Sequence, residues 1–413
     1  EIVTYQITRA DAPPHLDGVL DDACWPRALV IDDFGVLGRG DSAAPVPATQ
    51  AWLTYDADDL YVAFRCAEPL ADRMILRAAE HDDRTWSDDE VEVFFDAAGE
   101  RQGYVQLAVN ARGVIMDAFF GSANTPLDAS YETGADAQAR IGQAEWTLEL
   151  RIPFAGLPLA GPDQVWTFSL ARNRAAAGQL LCSLHSGVSG FHEIAKFDRL
   201  EGIALPERTI GLASYSLGDL YRGTNLCRAV LRNWGTAAQE VTVGAGVEGA
   251  AASRRGERRV RVPADQEVGV EVPWDLAAGD NGRRVSLEVR GRERLHQARS
   301  TIVRQVPDLF GPPVSRAFYL DTASPAELAL PVRLAEGSRR DVRLSWEAVN
   351  EAGARMGQGQ VGVVDSVGRV PLRWKGQQPG RYAVRLELRQ GGRSLGTAEE
   401  RVRLVECPWG GQP

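Results

Sequence analysis

From Glu90 to Asp96 the side chains alternate strictly. Val91, Val93 and Phe95 fall on one side, and Glu90, Glu92, Phe94 and Asp96 on the other. A period of two is the signature of a strand with one face in a core. The pattern recurs at short intervals, in Ala51/Leu53/Tyr55, Leu60/Val62/Phe64/Cys66, Val105/Leu107/Val109, Trp146/Leu148/Leu150/Ile152 and Trp166/Phe168/Leu170. Turn-forming stretches such as Asp56-Ala-Asp-Asp59 and Asn110-Ala-Arg-Gly113 separate these runs. Many short alternating strands divided by turns predict an all-β chain of stacked antiparallel sandwiches.

At 413 residues the chain has room for two or three domains. Composition shifts at Leu205-Pro206. Beyond it, Val272-Pro-Trp274 followed by Gly282–Arg290 is echoed by Leu372-Arg-Trp374 followed by Gly380–Arg389. That spacing is about one immunoglobulin-like sandwich. The expected division is therefore 1–206, 207–307 and 308–413, with the last junction in the segment 307–313.

Residues 1–206 hold 15 Lys and Arg against 32 Asp and Glu, and the remainder 31 against 24. Such an acidic first half argues against nucleic acid, which needs positive charge. The basic second half is almost all Arg, with Lys196 and Lys375 the only lysines of the chain, and no nucleic-acid patch is read from it. No apolar run approaches the ~18 residues of a membrane span. The five cysteines (Cys24, Cys66, Cys182, Cys227, Cys407) have no CxxC spacing, and Cys66 has core parity. The start at Glu1-Ile-Val-Thr is what removal of a secretion signal leaves, although a chain trimmed in any other way looks the same; a secreted, periplasmic or cell-surface location is expected.

Trp86 stands in a loop dense with carboxylates that runs into Glu90–Asp96, so an indole precedes a strand whose non-core face carries Glu90 and Glu92. An indole covers the C–H face of a sugar ring, and a carboxylate accepts charge-assisted hydrogen bonds from its hydroxyls. Gln106 and Asn110 share non-core parity on their strand, as Trp52 and Tyr61 do on theirs. Arg172 and Arg174 could also bond a ligand. However, they share parity with Phe168 and Leu170, so either the strand bends or they point inward as partners of carboxylates. Asp82, Asp83, Asp88 and Asp89 offer the several oxygens that calcium wants, although their spacing matches no loop motif.

The ordered series Asp17–Trp25, Tyr55–Phe64, Trp86–Asp96, Tyr104–Asn110, Trp146–Phe154 and Trp166–Arg172 resembles the family 9 carbohydrate-binding modules and their DOMON relatives. The resemblance spans nearly all of residues 5–205. It implies a β-sandwich holding sugar between two tryptophans, with carboxylate, Arg and amide side chains reading hydroxyls, and structural calcium in some members. By position, Trp86 is similar to the first tryptophan, and Glu92 to the sugar-reading carboxylate. Ala108 stands where sugar-binding members supply an Arg, and Leu184 or His185 where they supply the second tryptophan.

Glycoside hydrolysis needs two carboxyl groups flanking a bond, and only Glu90 and Glu92 point the same way. The haem-binding relatives of the fold need axial ligands, and the histidines and methionines here offer no paired placement. The expected function is non-catalytic binding of an oligo- or polysaccharide, as the accessory N-terminal part of a larger glycan-processing protein that continues beyond residue 413. The alternatives are a structural or adhesion module with a decayed sugar site and, more weakly, a glycoside hydrolase.

Overall fold

A computed structural model describes residues 2–38, 47–121, 127–163, 165–176, 178–184, 188–313, 317–320 and 326–406. Among these there is no α-helix, only strands and single 3-10 turns.

The first unit has thirteen strands: β1 (Thr4–Gln6), β2 (Leu29–Ile31), β3 (Gly35–Val36), β4 (Thr49–Tyr55), β5 (Asp59–Ala67), β6 (Glu90–Asp96), β7 (Tyr104–Asn110), β8 (Ile115–Phe120), β9 (Asp136–Ile141), β10 (Glu145–Pro153), β11 (Trp166–Arg174), β12 (Leu180–Ser183) and β13 (Asp198–Glu201). One sheet runs β1-β13-β11-β6-β7-β8, with β12 and β3 continuing from β11. The other runs β2-β4-β5-β10-β9. Between them lie the alternating apolar residues, including Val91, Val93, Phe95, Leu107, Leu148, Trp146, Trp166 and Phe168. Phe95 stacks on Phe168, and Trp166 stands edge-on to Phe154. Glycine is required at Gly156, where a Cβ would fall 2.0 Å from the Thr133 carbonyl oxygen.

Both outer faces of this sandwich are partly covered, which strand periodicity does not reveal. Over β6 and β7, the segment carrying Phe191, Ile194 and Phe197 closes on Phe94 and Tyr104. On the opposite sheet, Cys24 and Trp25 close on Tyr61 and Ala63, and Trp52 packs against them. Trp25 Nε1 donates to Glu149 Oε1 at 2.9 Å, tying that cover down. Trp25 is thus buried against an outer sheet face, not between the sheets.

The second unit pairs a three-stranded sheet, β14-β15-β18, with a four-stranded one, β17-β16-β19-β20. Its strands are β14 (Ile210–Ser216), β15 (Gly223–Asn233), β16 (Gln239–Val247), β17 (Gly256–Val262), β18 (Glu267–Leu276), β19 (Arg283–Arg290) and β20 (Leu295–Val303). Its own core runs from Ile210 to Val306, and a third core runs from Leu309 to Leu404 inside one curled seven-stranded sheet. Within the repeat, Trp274 is buried in β18 and donates to the Leu217 carbonyl, whereas Trp374 lies past its strand and packs edge-on against Tyr382. Cys24, Cys66, Cys182 and Cys227 are buried free thiols, and Cys407 falls outside the described residues.

The first two units are joined by arginines. Arg208 is buried and donates to Ala57 and Asp58 of the first unit and to the Leu295 and His296 carbonyls of the second. Arg299 donates to the Ala155 and Leu157 carbonyls, each at 2.9 Å.

Candidate functional site

Trp86 occupies a 3-10 turn, Thr85–Ser87, immediately before β6, and 48% of its surface is exposed. A loop without regular structure must satisfy its backbone groups some other way, and here the carboxylates do it. Asp88 accepts from the Arg77 and Ala78 amides and from Asn110 Nδ2. Asp89 accepts from the amides of Ile75, Ala175 and Ala176. Asp83 caps the amides of Ala79 and Glu80. The four aspartates expected to gather around calcium are therefore not brought together. Three are occupied by backbone N–H groups, and Asp82 turns toward His81, Asp117 and Glu132. Asn173 Nδ2 donates to the Trp86 carbonyl at 2.8 Å, and the Arg84 guanidinium lies 5.8 Å from the indole centroid.

Below Trp86 a cleft of about 670 Å³ opens over the outer face of β11-β6-β7-β8. Strand register sets its floor. Glu92 pairs with Ala171 on one side and Ala108 on the other, and Gln106 pairs with Ala118. These small neighbours leave a hollow in which Glu92 and Gln106 are the long polar side chains. Gln106 Nε2 donates to Glu92 Oε2. Burial pushes the Glu92 carboxyl up to about 7, against the easing effect of that hydrogen bond. Glu90, two residues back and fully buried, is pushed well above the carboxylate range by desolvation and then by Glu92. Neither Glu90 oxygen accepts a complete hydrogen bond, although Thr85 and Asn173 lie near enough to ease its charge. Thr85 Oγ1 and Asn173 Oδ1 are likewise buried and unpartnered, so unused hydrogen-bonding capacity converges under the indole.

The cleft's other wall is aromatic, formed by Phe120, Phe191 and His192, with Leu127 and Leu181 beside them. His192 Nδ1 is fixed by the Tyr104 hydroxyl at 2.8 Å. Arg304, just past β20 of the second unit, reaches the rim.

Of the residues expected at a sugar site, Trp86, Glu92 and Gln106 line one cleft, with Glu90 beneath them. The others lie elsewhere. Asn110 braces the Trp86 loop and its own turn, accepting from the Arg112 and Val114 amides. Arg172 is only 1% exposed and points into the sandwich, donating to the Ala67 carbonyl, Thr49 Oγ1 and Glu68. Arg174 grips both oxygens of the same Glu68 at 2.6 and 2.7 Å. The inward alternative for these two arginines is the one observed, and Asn173 between them faces the cleft. Trp52 lies on the other sheet under the Trp25 cover, with Arg65 over its ring. Leu184 packs against the core, and His185 lies outside the described residues. Strand parity alone could have nominated Asn173. Nothing local marks Phe191, His192 or Arg304.

Chemically, the cleft offers a half-exposed indole, an aromatic far wall, and a floor of carboxylate and amide groups. That suits a ligand with an apolar face and an edge of hydroxyls. Of the two glutamates, only Glu92 lines the cleft, so they do not flank a bond from two sides.

Residues 16–182 match the family model described as carbohydrate family 9 binding domain-like. No curated protein matches the chain. Among solved structures, a protein of Bacteroides uniformis ATCC 8492 is 15% identical, aligning 49% of this chain with 100% of its own at a TM-score of 0.42. A family 9 carbohydrate-binding module from Caldicellulosiruptor kristjanssonii, solved with cellotriose, is 15% identical over 49% of this chain and 94% of its own, with a TM-score of 0.36. The same organism's module with glucose is 16% identical over 48% and 94%, with a TM-score of 0.35. The segment that matches the family model, residues 16–182, carries Trp86, Glu92, Gln106 and Asn173 of the cleft.

Proposed function

We propose that the cleft under Trp86 binds carbohydrate without transforming it. One observation carries the reading: a half-exposed indole stands over a hollow whose floor groups, Glu92, Gln106 and Asn173, are hydrogen-bonding side chains, inside the segment that matches the family model. A pyranose would lay its C–H face on Trp86 and offer hydroxyls to Glu92, whose ionised form accepts them most strongly. Phe120 and Phe191 take the place of a second tryptophan as the opposing apolar wall.

In this reading the ligand is an oligo- or polysaccharide, and the protein is a secreted, periplasmic or cell-surface accessory to glycan processing. Residues 207–307 and 308–413 act as immunoglobulin-like spacers. Titration calorimetry of the whole chain against a panel of neutral and acidic mono- and oligosaccharides tests the core of it. Saturable heat with at least one sugar, lost in Trp86→Ala, is the expected result. Absence of heat across the panel would favour the structural or adhesion role, and release of reducing ends would revive hydrolysis.

A further inference from the structure

We propose that His81, Asp82, Asp117 and Glu132 form a site for a borderline divalent metal ion of the Zn²⁺ type at the base of the Trp86 loop. One ligand atom from each lies within 4.8 Å of the others. Three different segments supply them: the loop before Trp86, strand β8, and the extended stretch after the Phe119–Asp128 bridge.

An acidic cluster alone would say little, but two of these carboxylates are almost wholly buried with an oxygen left over. Asp117 is 1% and Glu132 3% exposed, and Asp117 Oδ1 and Glu132 Oε1 accept no hydrogen bond. Asp82 Oδ1 is in the same state. Their second oxygens are held in a way that aims the first ones. Asp117 Oδ2 accepts from the Thr133 amide and hydroxyl, and Glu132 Oε2 accepts from Arg284 at 2.8 Å. Such supporting contacts orient metal ligands in general. Asp82 adopts a left-handed backbone, φ 66°, and its amide donates to the Ile115 carbonyl, which fixes it beside β8.

The donor set, an imidazole nitrogen among three carboxylates, selects the ion. His81 Nε2 is 3.7 Å from Asp82 Oδ1 and 3.5 Å from Asp117 Oδ1, while it now hydrogen-bonds the held oxygen, Glu132 Oε2, at 3.0 Å. A tetrahedral Zn²⁺ with bonds of about 2.0–2.1 Å places its ligands about 3.3 Å apart. Ca²⁺ takes six to eight oxygens at about 2.3–2.6 Å and gains little from an imidazole. Charge also closes. Three carboxylates, a divalent ion and the Arg284 guanidinium sum to zero in a buried place. An ion there would take over the role of the proton on His81 and pin the loop to β8 and to residue 132.

The proposal does not rest on sugar binding, and its test uses none. The full chain, stripped with EDTA and dialysed, is titrated calorimetrically with ZnCl₂, MnCl₂ and CaCl₂, and its thermal transition is followed with each. One saturable Zn²⁺ site is expected, tighter than Mn²⁺ and far tighter than Ca²⁺, with a rise in the first unit's Tm. His81→Ala, at a partly exposed side chain, should weaken Zn²⁺ at least tenfold, and Asp82→Asn should weaken it too. Asp83→Asn, which keeps a capping oxygen outside the cluster, should leave it unchanged. No saturable Zn²⁺ binding by the wild-type chain would overturn the proposal. So would Zn²⁺ affinity indifferent to His81→Ala, or a preference for Ca²⁺.

Discussion

Glu92→Gln should make the protein more stable and a poorer binder at once. The side chain is buried, and desolvation raises its carboxyl from the ordinary 4.5 to about 7. A folded-state pKa above the unfolded one means that the folded state holds the proton more tightly. Stability is therefore full below pH 4.5 and is lost as pH climbs through 7. Each pKa unit is worth about 1.4 kcal/mol, so the loss between those limits is about 3 kcal/mol. Gln keeps the shape and can still accept from Gln106 Nε2, but it cannot ionise. At pH 8 the variant's N-terminal unit should outlast the wild type by up to this amount, and at pH 4 the two should coincide. For a unit of this size about 1 kcal/mol moves Tm by roughly 2–4 °C, so a gap near 6–12 °C should open with pH. Because three units need not melt together, the assay is differential scanning calorimetry with the first unit's transition resolved, at pH 4, 6 and 8. Sugar affinity should move the opposite way. Exchanging a charged acceptor for a neutral one costs about 1 kcal/mol per hydrogen bond, a five- to tenfold loss at pH 8. A stability gap that stays constant with pH would refute the reasoning, because it would mean that Glu92 is not desolvated in the fold.

Wild-type sugar affinity should itself rise from pH 6 to pH 8 as Glu92 ionises through about 7, and calorimetry across that range in Glu92→Gln should be flat. Trp86→Ala should abolish measurable sugar binding yet move Tm by no more than about 2 °C, since exposed substitutions change stability within about 0.5 kcal/mol. Ala118→Leu should fill the floor beside Gln106 and lower sugar affinity at least tenfold, a result visible in the same titration. Glu68→Gln should cost about 3–5 kcal/mol in urea unfolding, because it strips the counter-charge from two arginines held inside the sandwich.

Side-chain parity was enough to assign the core. Val91, Val93, Phe95 and Cys66 sit between the sheets as their period demands, because burying one face dictates a repeat of two. Parity also contained the correct treatment of β11, where residues sharing a face with Phe168 and Leu170 go inside even when they are arginines. What made that hard to accept is the cost of burying a guanidinium. Only a remote carboxylate, Glu68 on the other sheet's return, removes the objection. The covers over the outer faces were illegible for a related reason. Phe191 meets Phe94, and Trp25 meets Tyr61, through tertiary contacts that no local spacing encodes. Arg304 comes to the cleft rim from a different unit altogether.

The acidic loop before β6 looks like a ligand-binding set because it concentrates carboxylates, yet most of them serve the backbone. Asp83, Asp88 and Asp89 together receive eight N–H groups, seven backbone amides and Asn110 Nδ2. A loop with so many donors paired to ionised acceptors is rigid without a helix or strand. That rigidity lets an indole remain half in solvent instead of collapsing onto the neighbouring aromatic wall. Such a fixed, exposed ring costs stability to maintain, as does the buried Glu90–Glu92 pair beneath it. Both features lie on one side of one sheet, around one hollow lined by Glu92, Gln106 and Ala118. Unfavourable groups gathered at a single concave place, and supported by an ordered frame around it, are what a binding site requires and a purely structural sandwich does not.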